Sequence, residues 1–65
     1  MKYNYKQIAK TQIGAKKYQV VQVNEEYYQV QRNRQKIGNN EQNKVRAIKA
    51  MLKEAEYDLL DLFTQ

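Results

Sequence analysis

The sequence predicts an α+β fold in which a small antiparallel β-sheet, of two or three strands, packs on one long C-terminal α-helix. Two runs in the first half of the chain alternate with the period of a β-strand, and the last third repeats apolar residues at helical steps. The length of 65 residues leaves room for a single small domain. Within it we expect 1–14 to form a strand or arm, 15–37 a β-hairpin region and 40–63 the helix.

The helix is predicted to run from about Glu41 to Phe63, without an interrupting Gly or Pro. Asn39 is a suitable N-cap, and Gln42 follows it at the spacing of a capping box. We expect an apolar stripe to pack on the sheet, and Leu52→Ala to cost about 2–5 kcal/mol of stability. The stripe consists of Val45, Ile48, Leu52, Ala55, Leu59 and Leu62, and Met51 and Phe63 widen it.

The two alternating runs, 17–23 and 27–32, are rich in β-branched and aromatic residues and predict a hairpin. Residues 24–26 make the turn, with Glu25 and Glu26 as the loop. This loop decides which residues of the two strands lie opposite each other, and therefore which share a face of the sheet.

With that loop, Val23 lies opposite Tyr28 on the face that covers the helix. Val21 lies opposite Val30 on the same face. The other face of the hairpin is then exposed to solvent. Its predicted residues are Tyr18, Val20, Gln22, Tyr27, Gln29 and Gln31.

A third strand is expected because an isolated hairpin is only marginally stable. One candidate lies within Tyr3–Ile13, and the other is the short segment Arg34–Ile37. We favour the N-terminal strand, because Ile13, Gly14 and Ala15 are typical of a turn between two extended runs. A short helix over 5–12 is the alternative for this part of the chain.

The composition excludes most catalytic chemistry. The sequence has no Cys, His or Ser, which removes thiolate nucleophiles, disulfides and the commonest zinc ligands. We therefore expect no catalytic residue, no metal site and no cofactor, and the chain is not expected to be an enzyme. No apolar run approaches the roughly 18 residues of a membrane span. A soluble, cytoplasmic protein with no membrane partner is expected.

The net charge of +5 is unevenly distributed along the chain. Residues 1–53 hold all 12 basic residues and three of the seven acidic ones, so that part carries 12 − 3 = +9. Residues 54–65 hold the other four acidic residues and no basic one, a net −4. Such an asymmetry indicates an electrostatic binding surface on the basic part.

The predicted nucleic-acid site combines the solvent face of the hairpin with the basic residues around it. Lys and Arg neutralise phosphates, and Gln and Arg can read base edges in the major groove of DNA. Exposed tyrosines can instead stack on unpaired bases. The sequence therefore predicts a small basic protein that binds nucleic acid, with duplex DNA favoured over RNA. The candidate residues are Lys16, Lys17, Tyr18, Tyr27, Gln29, Gln31, Arg32, Arg34 and Lys36.

The order of a hairpin, a basic link over 34–38 and a capped helix over 39–59 resembles the arm-type or AP2-like DNA-binding domains of phage and transposon integrases. This resemblance covers roughly residues 15–60. It implies a three-stranded sheet that packs on one helix and lies in the major groove of DNA. The contacts it implies are Gln29, Gln31 and Arg32 on bases, with Lys16 and Lys17 on phosphates.

A protein-interaction module, such as a phage- or plasmid-type inhibitor that binds a host protein, is the alternative. Six tyrosines in 65 residues support it, because Tyr is favoured at interface hot spots. A homodimer is a further possibility, since a second copy could offset the acidic end of the helix. Salt dependence separates the two functions, because phosphate binding weakens steeply with salt.

Overall fold

The computed structural model describes residues 4–64 and contains a sheet and one helix. The elements are β1 (Tyr5–Ile13), β2 (Lys16–Val23), β3 (Tyr27–Arg32), β4 (Gln35–Lys36) and α1 (Lys44–Thr64). The four strands form one antiparallel sheet in chain order, and α1 packs on one of its faces. The α+β class is confirmed, with four strands where two or three were expected. Residues 1–3 and 65 of the expected domain, including Tyr3 of the candidate strand, lie outside the described residues.

Both candidate third strands are present. The favoured N-terminal strand is β1, which rules out the alternative helix over 5–12, and the segment Arg34–Ile37 contributes β4. The turn between β1 and β2 has Gly14 at φ 59, with Ala15 outside the positive-φ region, the pattern of a type II′ turn. This confirms the predicted turn and fixes β1 beside β2.

The predicted register of the hairpin is wrong by one residue. Val23 lies opposite Tyr27, because the loop has three residues, 24–26, and not two. The backbone N–H of Glu26 donates to the carbonyl of Val23 at 2.9 Å, and the two residues between them have positive φ. A slip of one residue exchanges the two faces of a strand.

The sheet face that meets the helix therefore carries Tyr18, Val20 and Val30. Tyr18 and Val20, which were expected on the solvent face, are fully buried in the core. Val21 and Val23, expected against the helix, project from the opposite face. The sequence pattern did not settle this choice, because apolar residues occupy both faces of β2.

The helix begins later than predicted. The side-chain oxygen of Asn43 accepts hydrogen bonds from the backbone N–H groups of Val45 and Arg46 at 2.8 and 3.1 Å, so Asn43 is the N-cap and Asn39 is not. Glu41, expected in the helix, pairs instead with β3. Its backbone N–H and C=O both bond to Tyr28.

The helix packs through only part of the predicted stripe. Met51 and Ala55 are buried and Ile48 packs against the core, whereas the valine and the leucines of the stripe are exposed. The buried residues of the helix are Ala47, Met51 and Ala55, spaced four apart on the face toward the sheet. Leu52 is 51% exposed, so the prediction that it lies in the core is wrong. Ala47 and Ala55 belong to the same buried cluster as Tyr18, and their small side chains leave room for its large ring in a densely packed interior.

Candidate nucleic-acid interface

The sheet face opposite the helix, called here the outer face, carries polar and basic side chains together with two buried valines, Val21 and Val23. The four strands contain no Asp or Glu. Cross-strand pairing and the alternation of the strands place the side chains on this face. Its residues are Tyr5, Gln7, Lys10, Gln12, Lys17, Gln19, Val21, Val23, Tyr27, Gln29, Gln31 and Lys36.

One transverse row of the outer face crosses all four strands. Lys10 of β1 pairs with Gln19 of β2, Gln19 pairs with Gln31 of β3, and Gln31 pairs with Lys36 of β4. The row therefore has a lysine at each end and two glutamines between them. Three interstrand spacings of about 4.8 Å separate the two lysine backbones by about 14 Å.

The glutamines of this face are joined by side-chain hydrogen bonds. Gln7 donates to Gln19 at 2.9 Å, Gln19 donates to Gln31 at 2.7 Å, and Gln31 donates to Gln29 at 2.7 Å. A primary amide has two N–H donors and an oxygen with two lone pairs, so each amide keeps groups free for a ligand. The ladder holds the four amides in a fixed polar array before any ligand binds.

A shallow open groove runs over the β1–β2 side of the outer face. Its lining includes Lys10, Lys17 and Arg34, so three cations surround it. Arg34 belongs to the two-residue turn between β3 and β4 and has φ 67, a left-handed conformation that costs roughly 1–2 kcal/mol for a residue other than Gly. Asn33 precedes it, also with positive φ, and bonds to the backbone of Lys17 in both directions.

Two of the nominated basic residues point to the other side and are paired there with an acidic residue of the helix. Asp58 accepts from Lys16 Nζ at 3.1 Å, and its second oxygen lies 3.6 Å from Arg32 Nη1. Both cations are more than a third exposed, so each pair adds little to stability. Their main consequence is electrostatic, because two positive charges are offset and the acidic end of α1 gains a partner.

The nine predicted site residues therefore separate into three on the helix side of the sheet and six on or beside the outer face. Tyr18 is buried in the core, and among the described residues its hydroxyl has no hydrogen-bond partner. Lys16 and Arg32 are the other two on the helix side. The remaining six lie on or beside the outer face: Lys17, Tyr27, Gln29, Gln31, Arg34 and Lys36.

The sequence reasoning missed part of the outer face. Gln22, which it placed there, lies on the helix side, where its amide is 3.4 Å from the hydroxyl of Tyr28. The missed residues come mostly from β1, whose register had not been assigned. They are Gln7, Lys10, Gln12 and Gln19. Strand alternation continued backward through a two-residue turn at Gly14 places Lys10 and Gln12 on the face of Gln19, whereas Gln7 reaches that face only because of the register shift between Gln7 and Ala9.

Scans against protein-family models, curated proteins and solved structures found no match to this chain. Across residues 4–64, no group of three His, Cys, Asp or Glu side chains is placed to hold a metal ion. In the same range, no helix has the length and hydropathy needed to cross a bilayer.

Proposed function

We propose that the protein binds nucleic acid through the outer face, with duplex DNA as the ligand. The observation that carries this proposal is the row of Lys10, Gln19, Gln31 and Lys36 across the sheet. The major groove is about 12 Å wide and admits a β-ribbon. A row about 14 Å long between its lysine backbones suits phosphates on both sides of the groove, with the glutamines toward the base edges.

The distribution of charge supports the same face. Lys10, Lys17, Arg34 and Lys36 surround the glutamine ladder, and no carboxylate lies on the strands. The helix carries four of the seven acidic residues on the far side of the sheet. A polyanion is therefore attracted to the outer face and repelled by the C-terminal half of α1.

The arrangement also agrees with what the integrase resemblance implies, a sheet in the major groove with one helix behind it. The proposed contacts differ from those the resemblance implied. Arg32 and Lys16 are paired with Asp58 on the helix side, and their places are taken by Lys10 and Lys36.

The number of cations sets the expected salt dependence. Four phosphate contacts give a slope of log affinity against log salt of about −3.6, which is about a 150-fold loss between about 50 and 200 mM salt. Each lysine removed from the interface makes the slope less negative by about 0.9.

The experiment compares two double variants of equal net charge by fluorescence anisotropy with a short random-sequence duplex. Lys10→Gln with Lys36→Gln removes both lysines at the ends of the row. This variant is expected to bind more weakly, and its slope of log affinity against log salt is expected to be less negative by about 1.8. The control, Lys44→Gln with Lys53→Gln, removes two exposed cations from α1 and is expected to keep the wild-type slope.

Three results would contradict the proposal. Equal losses in the two double variants would mean that only net charge matters. Absence of binding at low salt would remove nucleic acid as the ligand and leave a protein partner. Tighter binding to a single strand than to the duplex would show that the major-groove geometry is wrong.

A further inference from the structure

The helix has a second apolar stripe that does not face the sheet. Val45, Leu52 and Leu59 are spaced seven residues apart and are all exposed, and Phe63 continues their line with 79% of its surface exposed. Residues seven apart stay on one side of a helix, drifting by only about 20° per step. We call this line the seam; it lies about 100° around the helix from the buried residue Met51.

The charges of α1 are segregated by halves. Its first ten residues carry four basic side chains and no acid, and 54–61 carry four acidic side chains and no base. This order opposes the helix macrodipole at both ends, since cations lie near the positive N-terminus and carboxylates near the negative C-terminus. Among the described residues, Asp58 is the one helix carboxylate with an ion-pair partner.

We infer that the seam binds the seam of a second copy of this chain, with the two helices antiparallel. A two-fold axis perpendicular to the helices places the basic half of each helix beside the acidic half of the other. It also sets the two macrodipoles antiparallel, so that the partner's opposite charges and dipole offset the unfavourable order of charges in each helix. The same operation buries the exposed apolar side chains of both copies, which a monomer leaves in water.

The spacing of two charged residues fixes the register of this dimer. Lys49 and Glu56 are exposed, seven residues apart, and lie on the same flank of the seam. A two-fold axis at the level of Leu52 and Lys53 brings Lys49 level with Glu56 of the partner subunit. Because the axis maps each flank onto itself, the contact forms twice. Within residues 4–64 neither side chain has another ion-pair partner.

The free edge of β1 is a poorer surface for self-association. The pairing of β1 with β2 shifts register between Gln7 and Ala9, which marks a bulge at Ile8, and Lys6 and Lys10 add charge along the edge. Bulges and lysines are features that discourage edge-to-edge pairing of strands. The seam carries no such protection at its centre. The inference concerns α1 alone and does not rest on the proposed nucleic-acid function.

The test is charge reversal, read by sedimentation equilibrium without nucleic acid. The wild-type chain is expected to dimerise with increasing concentration. Lys49→Glu and Glu56→Lys each turn both intermolecular contacts into like-charge pairs, and each is expected to weaken the dimer about tenfold or more. Mixing the two variants makes both contacts complementary again and restores association. The double variant restores it within one chain.

Circular dichroism checks that each variant keeps its helix, which is expected because both positions are exposed. A wild-type chain that stays monomeric at the highest attainable concentration overturns the inference. So does dimerisation that is insensitive to the two reversals, as a dimer through β1 or through parallel helices would be. Failure of the mixture to restore association excludes the antiparallel register.

Discussion

Truncation of Met51 to alanine tests which face of α1 forms the core. Met51 is 2% exposed and lies between the buried residues Ala47 and Ala55, against the ring of Tyr18 and the strand valines. Met→Ala at a buried site costs about 2–5 kcal/mol. At about 0.05–0.15 kcal/mol per residue, a 65-residue chain has a stability of about 3–10 kcal/mol. Met51→Ala is therefore expected to remove a large part of the total free energy of unfolding.

Leu52→Ala is the matched control one position along the helix. Leu52 is half exposed, so its truncation is expected to cost about 1 kcal/mol, partly offset by the higher helix propensity of alanine. The assay is urea unfolding followed by far-UV circular dichroism, on samples dilute enough to be monomeric. If Leu52→Ala loses as much stability as Met51→Ala, the face of α1 that contains Met51 is not the one that packs on the sheet.

Two further predictions concern single polar groups. Asn43→Ala is expected to lower stability by about 1 kcal/mol because Asn43 caps α1, whereas Asn39→Ala is expected to be near neutral; thermal unfolding of both distinguishes them, and equal losses would contradict the assigned cap. Tyr18→Phe is expected to maintain or raise the melting temperature, since it removes a buried hydroxyl without a partner in the described structure. A loss above about 1 kcal/mol would mean that this hydroxyl is hydrogen-bonded.

The sequence predicted the elements of this fold better than their faces. The strands of the hairpin and the C-terminal helix follow from their periodicity, and Gly14 marked the turn that brings β1 into the sheet. The predicted register of the hairpin was wrong because register depends on loop length. Asn24 and Glu25 adopt positive φ although neither is a glycine, so the sequence did not indicate a three-residue loop. A single extra loop residue then moved Tyr18 from solvent to core.

The predicted core stripe of the helix was correct in Met51 and Ala55 and wrong in its valine and leucines. The leucines and valine at steps of three and four match a core stripe, yet the sheet packs on Ala47, Met51 and Ala55. Hydrophobicity alone favours the larger side chains, whereas packing against the ring of Tyr18 favours small ones. Val45, Leu52 and Leu59 of the expected core stripe lie in the seam, a candidate contact surface.

The candidate site was predictable in its chemistry and less so in its membership. The excess of Lys, Arg and Gln over acidic residues in the first 53 positions pointed to a basic, polar sheet face. Pairing of Lys16 and Arg32 with Asp58 depends on a contact between residues 42 and 26 positions apart, which no local pattern reveals. The row from Lys10 to Lys36 likewise requires four strands in register.

The most direct test of the outer-face interface is an NMR titration of the glutamine side-chain amides with a short DNA duplex. Gln7, Gln19 and Gln31 lie on the outer face, and Gln22 lies on the helix side as an internal control. We predict that the amide signals of the first three shift on addition of DNA while that of Gln22 stays in place. Shifts confined to Gln22 and α1, or no shifts at low salt, would contradict the account.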